Sequence, residues 1–151
     1  MLRISKLADY GTVVMVYLVH CSPALCSARE IALHTHLTVH TVSKLLKRLS
    51  AAKLLLSVRG AAGGYRLSRL PTEISLADII YALDAQRGLV ECRLQPNECM
   101  LQGVCHIQNN WRVISQTIES LMDGISLAAF AQPTLQQAEL DQIAHTGVRR
   151  G

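Results

Sequence analysis

Apolar residues recur along this chain at two different periods, and the change from one to the other marks its elements. Ile4, Leu7, Val14 and Leu18 fall at helical spacing and Ser5 stands where a cap would stand, which predicts a first helix over Ser5–His20. Cys21–Cys26, containing Pro23, reads as a connecting loop. Ser27 and Glu30 then form a capping box and open a short helix to Thr35, followed by a turn at His36–Leu37. Thr38 caps the next helix, Val39–Ala51, whose apolar stripe is Val42, Leu45, Leu46 and Leu49. Its other face carries His40, Thr41, Ser43, Lys44, Lys47 and Arg48. After it the period shortens. Leu54–Arg59 and Tyr65–Leu67 read as strands about the turn Gly60–Gly64. Two helices about a tight turn, followed at once by a hairpin, predict a winged helix-turn-helix.

Beyond the hairpin, Ser75 and Asp78 cap a further helix, Leu76–Leu83. Residues 85–107 are loop-like, with Gly88, Pro96 and Gly103. A long helix is expected from about Ile107 to Gly124 or Ile125. Ile107, Trp111, Ile114, Ile118, Leu121 and Ile125 repeat at alternate steps of four and three, the seam of a coiled coil. Such a seam could pack on the chain's own domain, but helix-turn-helix readers commonly work as twofold dimers, so it predicts a homodimer interface. The polar tail from Pro133 is expected to be partly disordered. The expected fold class is mainly α: a winged helix-turn-helix with a small β-hairpin wing and a long C-terminal dimerisation helix. The expected organisation is 1–84 for the DNA-binding domain, 85–107 for a cysteine-bearing loop, 108–130 for the dimerisation helix and the segment after it, and 131–151 for the tail.

Composition narrows the class. An apolar content of 50% over 151 residues can build a core. The most apolar run, Thr12–Val19, is shorter than the ~20 residues a membrane span needs, so no membrane partner and a cytoplasmic location are expected. Charge is divided unevenly. Residues 1–70 carry ten Lys and Arg against Asp9 and Glu30, a net of +8, whereas residues 71–151 carry five Arg against nine acids, a net of −4. A basic half joined to an acidic half points to one half meeting a polyanion, here double-stranded DNA. In that reading His40, Thr41, Ser43 and Lys44 face base edges, Lys47, Arg48 and Arg66 face phosphates, and Arg59 in the wing can enter a narrow minor groove.

Three of the five cysteines, Cys92, Cys99 and Cys105, lie in the expected loop with six and five residues between them. An odd count and no recognisable export signal argue against a disulfide framework. No C-x2-4-C pair of the kind structural zinc prefers is present. The wider spacing suits an iron–sulfur cluster, whose several irons need thiolates spread around them. Cys21 and Cys26 read as ordinary semi-buried residues. A reactive-thiol enzyme would need a base, and His106 beside Cys105 is the only local candidate; with no phosphate loop, nucleophile elbow or carboxylate constellation, the chain reads as a non-enzyme. Three cysteines leave a coordination position to fill, for which His106, Asp9 from a second subunit, Glu91 and Glu98 are candidates.

With these residues in hand the chain resembles the IscR/NsrR-type iron–sulfur winged-helix regulators over about residues 1–130. The start LRISKLADYGTVVM, the wing SVRGAAGGYRLSR, the helix ISLADIIYALD, the cysteine triplet and the NNWRVI that follows carry the likeness, and the start and the NNW look most like the Suf-type assembly regulators. The resemblance implies a homodimer, a cluster held by Cys92, Cys99 and Cys105, and control of transcription by cluster state. It implies a repressor of cluster-assembly genes, with a nitric-oxide or redox sensor, or a metal-free thiol-redox DNA binder, as the alternative. A 2Fe–2S cluster is favoured, with 4Fe–4S as the other form. Isc-type members place a histidine three residues after the last cysteine; here that position is Gln108. Asp9 matches the aspartate that nitric-oxide sensors can use from the partner subunit, so Asp9 and His106 both stand as fourth ligand.

Overall fold

The computed structural model describes residues 4–84 and 104–148, apart from the side chains of 138–139 and 145–148. The first part runs α1 (Lys6–Cys21), α2 (Ala28–Thr35), α3 (Val39–Ala51), β1 (Leu55–Val58), β2 (Gly64–Leu67), a 3-10 turn (Pro71–Glu73) and α4 (Leu76–Leu83). The second runs α5 (Gln108–Gly124), α6 (Leu127–Phe130) and α7 (Gln137–Val148).

The helix starts are set by their caps. The Ser5 hydroxyl accepts from the Ala8 amide at 3.2 Å. Ser27 and Glu30 close a reciprocal box at 3.2 and 2.7 Å, and the Ser27 amide holds the Glu30 carboxyl below the usual carboxylate range. Thr38 accepts from the Thr41 amide at 3.1 Å. Between α2 and α3 the chain turns through His36 in the left-handed region, φ 56°, a conformation that histidine adopts more readily than most side chains. That turn sets the two helices against each other.

The core lies beneath them. Val42, Leu45, Leu46 and Leu49 of α3 are fully buried with Val14, Met15 and Leu18 of α1 and Ile31 of α2. Each such side chain contributes about 1.5–3 kcal/mol relative to exposure. Gly11 allows α1 and α4 to cross closely, because a Cβ there would meet the Leu83 side chain. The hairpin is antiparallel with Leu55 opposite Leu67 and Val58 opposite Gly64. Cys26 acts as a one-residue third strand, exchanging backbone bonds of 3.0 and 2.9 Å with Tyr65. Gly64 permits that approach, since a Cβ there would strike the Cys26 backbone.

The C-terminal end of α5 is stitched back to the first part. The Leu76 amide donates to the Ile125 carbonyl at 2.8 Å and the Leu127 amide to the Ile74 carbonyl at 2.7 Å. The Ser75 hydroxyl, at the cap of α4, also lies 3.1 Å from the Asp123 carboxylate. One expectation changes here. Ile125 is buried in the chain's own core rather than at a free seam, because it is the residue at which α5 ends and the chain turns back under α4. Over its described part the tail forms α7, with Leu140, Ile143 and Ala144 half-buried. Those three lie at helical spacing on one face, and Ile143 seats on Gly124 of α5, where a Cβ would collide with it. No described helix is long and apolar enough to cross a membrane.

Candidate nucleic-acid interface and cysteine segment

The burial of the α3 stripe forces the opposite face outward. His40, Ser43, Lys44, Lys47 and Arg48 are exposed, as are Arg59 at the start of the wing turn and Arg66 on β2. Arg66 stands opposite Leu56 in the register, on the outward face of the hairpin, whereas Leu55 and Leu67 point into the core. Lys44, Lys47, Arg59 and Arg66 form no ion pair with another described residue, so their charge remains available to an anionic partner. Arg69, by contrast, is 3.4 Å from Asp78 and donates to the Glu73 carbonyl, which makes it part of the scaffold.

Two of the expected DNA contacts carry other duties. Thr41 is half-buried, and its hydroxyl shares a 2.8 Å hydrogen bond with that of Thr38, so it serves the helix start. The Arg48 guanidinium donates to the Leu83 carbonyl at 2.9 Å. That bond ties α3 to the last residue of α4, immediately ahead of the cysteine segment. Periodicity alone places Arg48 on the polar face; it gives no hint of this long-range bond.

Of the cysteine triplet, Cys92 and Cys99 lie outside the described residues, as do Glu91 and Glu98. Cys105 is a half-buried free thiol three residues ahead of α5. Its neighbour His106 is exposed, as is Asp9 in the first turns of α1, and neither has an ion pair with a described residue. Three thiolates with a free carboxylate or imidazole in reserve fit an iron–sulfur centre by donor chemistry. On α5 itself Ile107, Trp111 and Ile114 are 56%, 37% and 44% exposed, with Val104 and Val113 beside them. Ile118 and Leu121 are half-buried.

Residues 4–133 match the family described as Rrf2, iron-dependent transcriptional regulator. The chain belongs to the Rrf2 family. Among its Rrf2 relatives, the HTH-type transcriptional regulator IscR of Aliivibrio salmonicida is 30% identical over 127 residues, 83% of this chain and 75% of that one. Among solved structures, CymR (YrzC), the global cysteine regulator of B. subtilis, superposes with a TM-score of 0.73 at 29% identity, covering 89% of this chain and 99% of that one. IscR of T. potens superposes with a TM-score of 0.64 at 29% identity, over 84% of each chain. Rrf2 membership makes this protein a DNA-binding transcriptional regulator rather than an enzyme, and the mainly helical fold with its two-stranded wing is the one its Rrf2 neighbours share.

A further grouping escaped the sequence reading. Cys21 ends α1 one turn after Tyr17, and it is among the groups that raise the pKa values of Tyr17 and Cys26. The Tyr17 ring stacks on His34 of α2 at 5.1 Å. The hydrogen bond with Cys21, followed by burial, pushes Tyr17 up to about 12. Burial, followed by the hydrogen bond with Cys21, pushes Cys26 up to about 12. The four-residue step from Tyr17 to Cys21 is the signal that could have revealed half of this group.

Proposed function

We infer that the protein is a homodimeric regulator whose DNA binding is controlled by an iron–sulfur cluster, acting as a repressor of cluster-assembly genes. The observation that carries this reading is the position of Cys105. It stands at the foot of α5, directly ahead of the exposed apolar face formed by Ile107, Trp111 and Ile114. A group held there acts on the helix that would join two copies. The likeness to IscR proteins supports the same cofactor class.

Cys92, Cys99 and Cys105 would hold the cluster, with Asp9 of a second copy or His106 completing it; the 2Fe–2S form is favoured over 4Fe–4S. When bound, the cluster supplies a redox-active and exchangeable iron centre. The chain's own residues do the rest. Lys44, Lys47, Arg59 and Arg66 neutralise phosphates or enter a groove, and His40 and Ser43 face base edges. Arg48 joins α3 to the end of α4, so a change in the segment that follows Leu83 can reach the reading helix. A cluster shifts the protein toward one dimer geometry only by its differential affinity for that geometry.

Anaerobic purification with iron and sulfide assay, followed by DNA titration of the loaded and stripped forms, tests the reading. Stoichiometric iron and sulfide with a change in DNA affinity on stripping is the expected result. A colourless protein with unaltered affinity would reject it. The second reading, a metal-free thiol regulator, is favoured by the higher TM-score to CymR, and that colourless outcome is the one it expects.

A further inference from the structure

We propose that the cleft between the end of α1, the 3-10 turn and α6 is a binding site for a small apolar carboxylic acid. The site is separate from the cysteine segment, and the inference does not depend on the cluster reading.

Three observations carry it. The first is size and lining. The cleft encloses about 710 Å³. Sites for small molecules run from roughly 300 to 1,000 Å³. Its walls are apolar: Val19 of α1, Pro71 of the turn, Ala128 of α6 and Ala131 at the cap that follows it. Leu70, also in the lining, is 65% exposed. A hydrocarbon body seated in the cleft would remove from water a leucine that the fold itself leaves there.

The second observation is a set of free donors. His20 in the last turn of α1, Thr72 in the 3-10 turn and Gln132 beyond α6 line the same cleft, and all three are exposed. None of their side chains has a hydrogen bond or ion pair with a described residue. Imidazole, hydroxyl and carboxamide can each donate. Apolar walls with a few convergent polar groups are the usual form of a small-ligand site.

The third is charge. No Asp or Glu lines the cleft, and His20 is its only titratable side chain. The one charge an imidazole can carry is positive. Glu73, next to Thr72 in the chain, is already engaged: the Leu70 amide donates to its carboxylate at 3.1 Å. The lining therefore favours an anionic head over a cationic one, and a carboxylate can accept from several donors at once. A hydrocarbon body with one carboxylate meets both halves of the lining.

The cleft also bridges the chain that leaves the wing and the segment that follows α5, which the Leu127–Ile74 backbone bond already joins. A ligand that binds the free and DNA-bound forms unequally would change DNA affinity by the same factor.

Octanoate is the probe, and 1-octanol is its uncharged counterpart. Each is titrated into the full-length protein and followed by nuclear magnetic resonance of the His20 ring, the Ala131 methyl and the Trp111 indole. Trp111 reports on the exposed apolar face of α5. The expected result is a saturable shift of His20 and Ala131 with Trp111 unmoved. His20→Gln should weaken octanoate about tenfold, the loss of one charge-assisted hydrogen bond, and leave octanol unchanged. Ala131→Trp, which fills the cleft, should abolish both. His20 is exposed, so its variant keeps the test decisive even where Ala131→Trp fails to fold. Shifts confined to Trp111, no saturable binding, or an equal loss of octanoate and octanol in His20→Gln would each overturn the proposal. So would a change of oligomeric state in folded Ala131→Trp, which would assign the cleft to a second copy of the chain.

Discussion

Lys47 and Arg48 are neighbours on α3, both exposed and both basic, yet their substitutions should read differently. Lys47 has no partner among the described residues, so Lys47→Ala should weaken binding to all DNA sequences about evenly and lower the salt slope by about 1. An unchanged slope would mean that this face does not lie on phosphates. Arg48→Ala also removes the 2.9 Å bond to the Leu83 carbonyl, so a loss of about 1–2 kcal/mol in the urea midpoint should accompany any loss of affinity. Equal stability of the two variants would show that the bond contributes nothing. Tyr17 and Cys26 make a third case, in pH. Both are pushed up to about 12 from ordinary values of 10 and 9, so the fold favours their neutral forms. The stability they support is fully present below about pH 9 and declines as pH rises towards 12. Denaturation midpoints taken from pH 8 upward should fall, and Cys26→Ala should flatten that slope; parallel curves would count against it. For the cluster, Cys99→Ala should abolish iron content, whereas losing it with only one of Asp9→Ala and His106→Ala identifies the fourth ligand.

The apolar repeat along α5 reads as one seam from the sequence, but the structure divides it. Ile107, Trp111 and Ile114 are exposed, Ile118 and Leu121 are half-buried, and Ile125 is in the core. Charge placed at the two ends should therefore do different things. Ile114→Asp should yield a folded monomer in sedimentation, with native helical circular dichroism. Ile125→Asp buries an unpaired carboxylate, costs several kcal/mol and should unfold the chain. A dimeric Ile114→Asp protein would place the contact between copies elsewhere. The four helices and two strands of the first part were legible because each has a local signature: Ser5, Ser27, Thr38 and Ser75 at caps, a three-four stripe on α3, glycines in the wing. What stayed hidden is long-range. A 3.5-residue repeat cannot say that its last member turns under α4. A polar composition concealed Leu140, Ile143 and Ala144, whose apolar face becomes visible only against Gly124. The candidate DNA face was legible by elimination, as the residues the α3 stripe leaves outside; the duties of Thr41 and Arg48 depend on partners the pattern does not contain.

In the protein as a whole, the winged-helix part packs against α5 through α4 and is bonded to its end over the short stretch from Asp123 to Leu127. Two backbone bonds and the Ser75–Asp123 contact clamp that end, while the apolar residues at the opposite end, Val104 to Ile114, face outward. Over 17 residues α5 extends about 25 Å. A rotation of α5 about Ile125 would act on it as on a lever. A rotation of about 5° at the fulcrum sweeps the far end through about 2 Å, by the helix length just given. If two copies grip each other by those far ends, the same small rotation is transmitted in reverse to both reading heads. Shifts too small to disturb the packing around Ile125 would then suffice to put two α3 helices into or out of step with successive turns of the double helix.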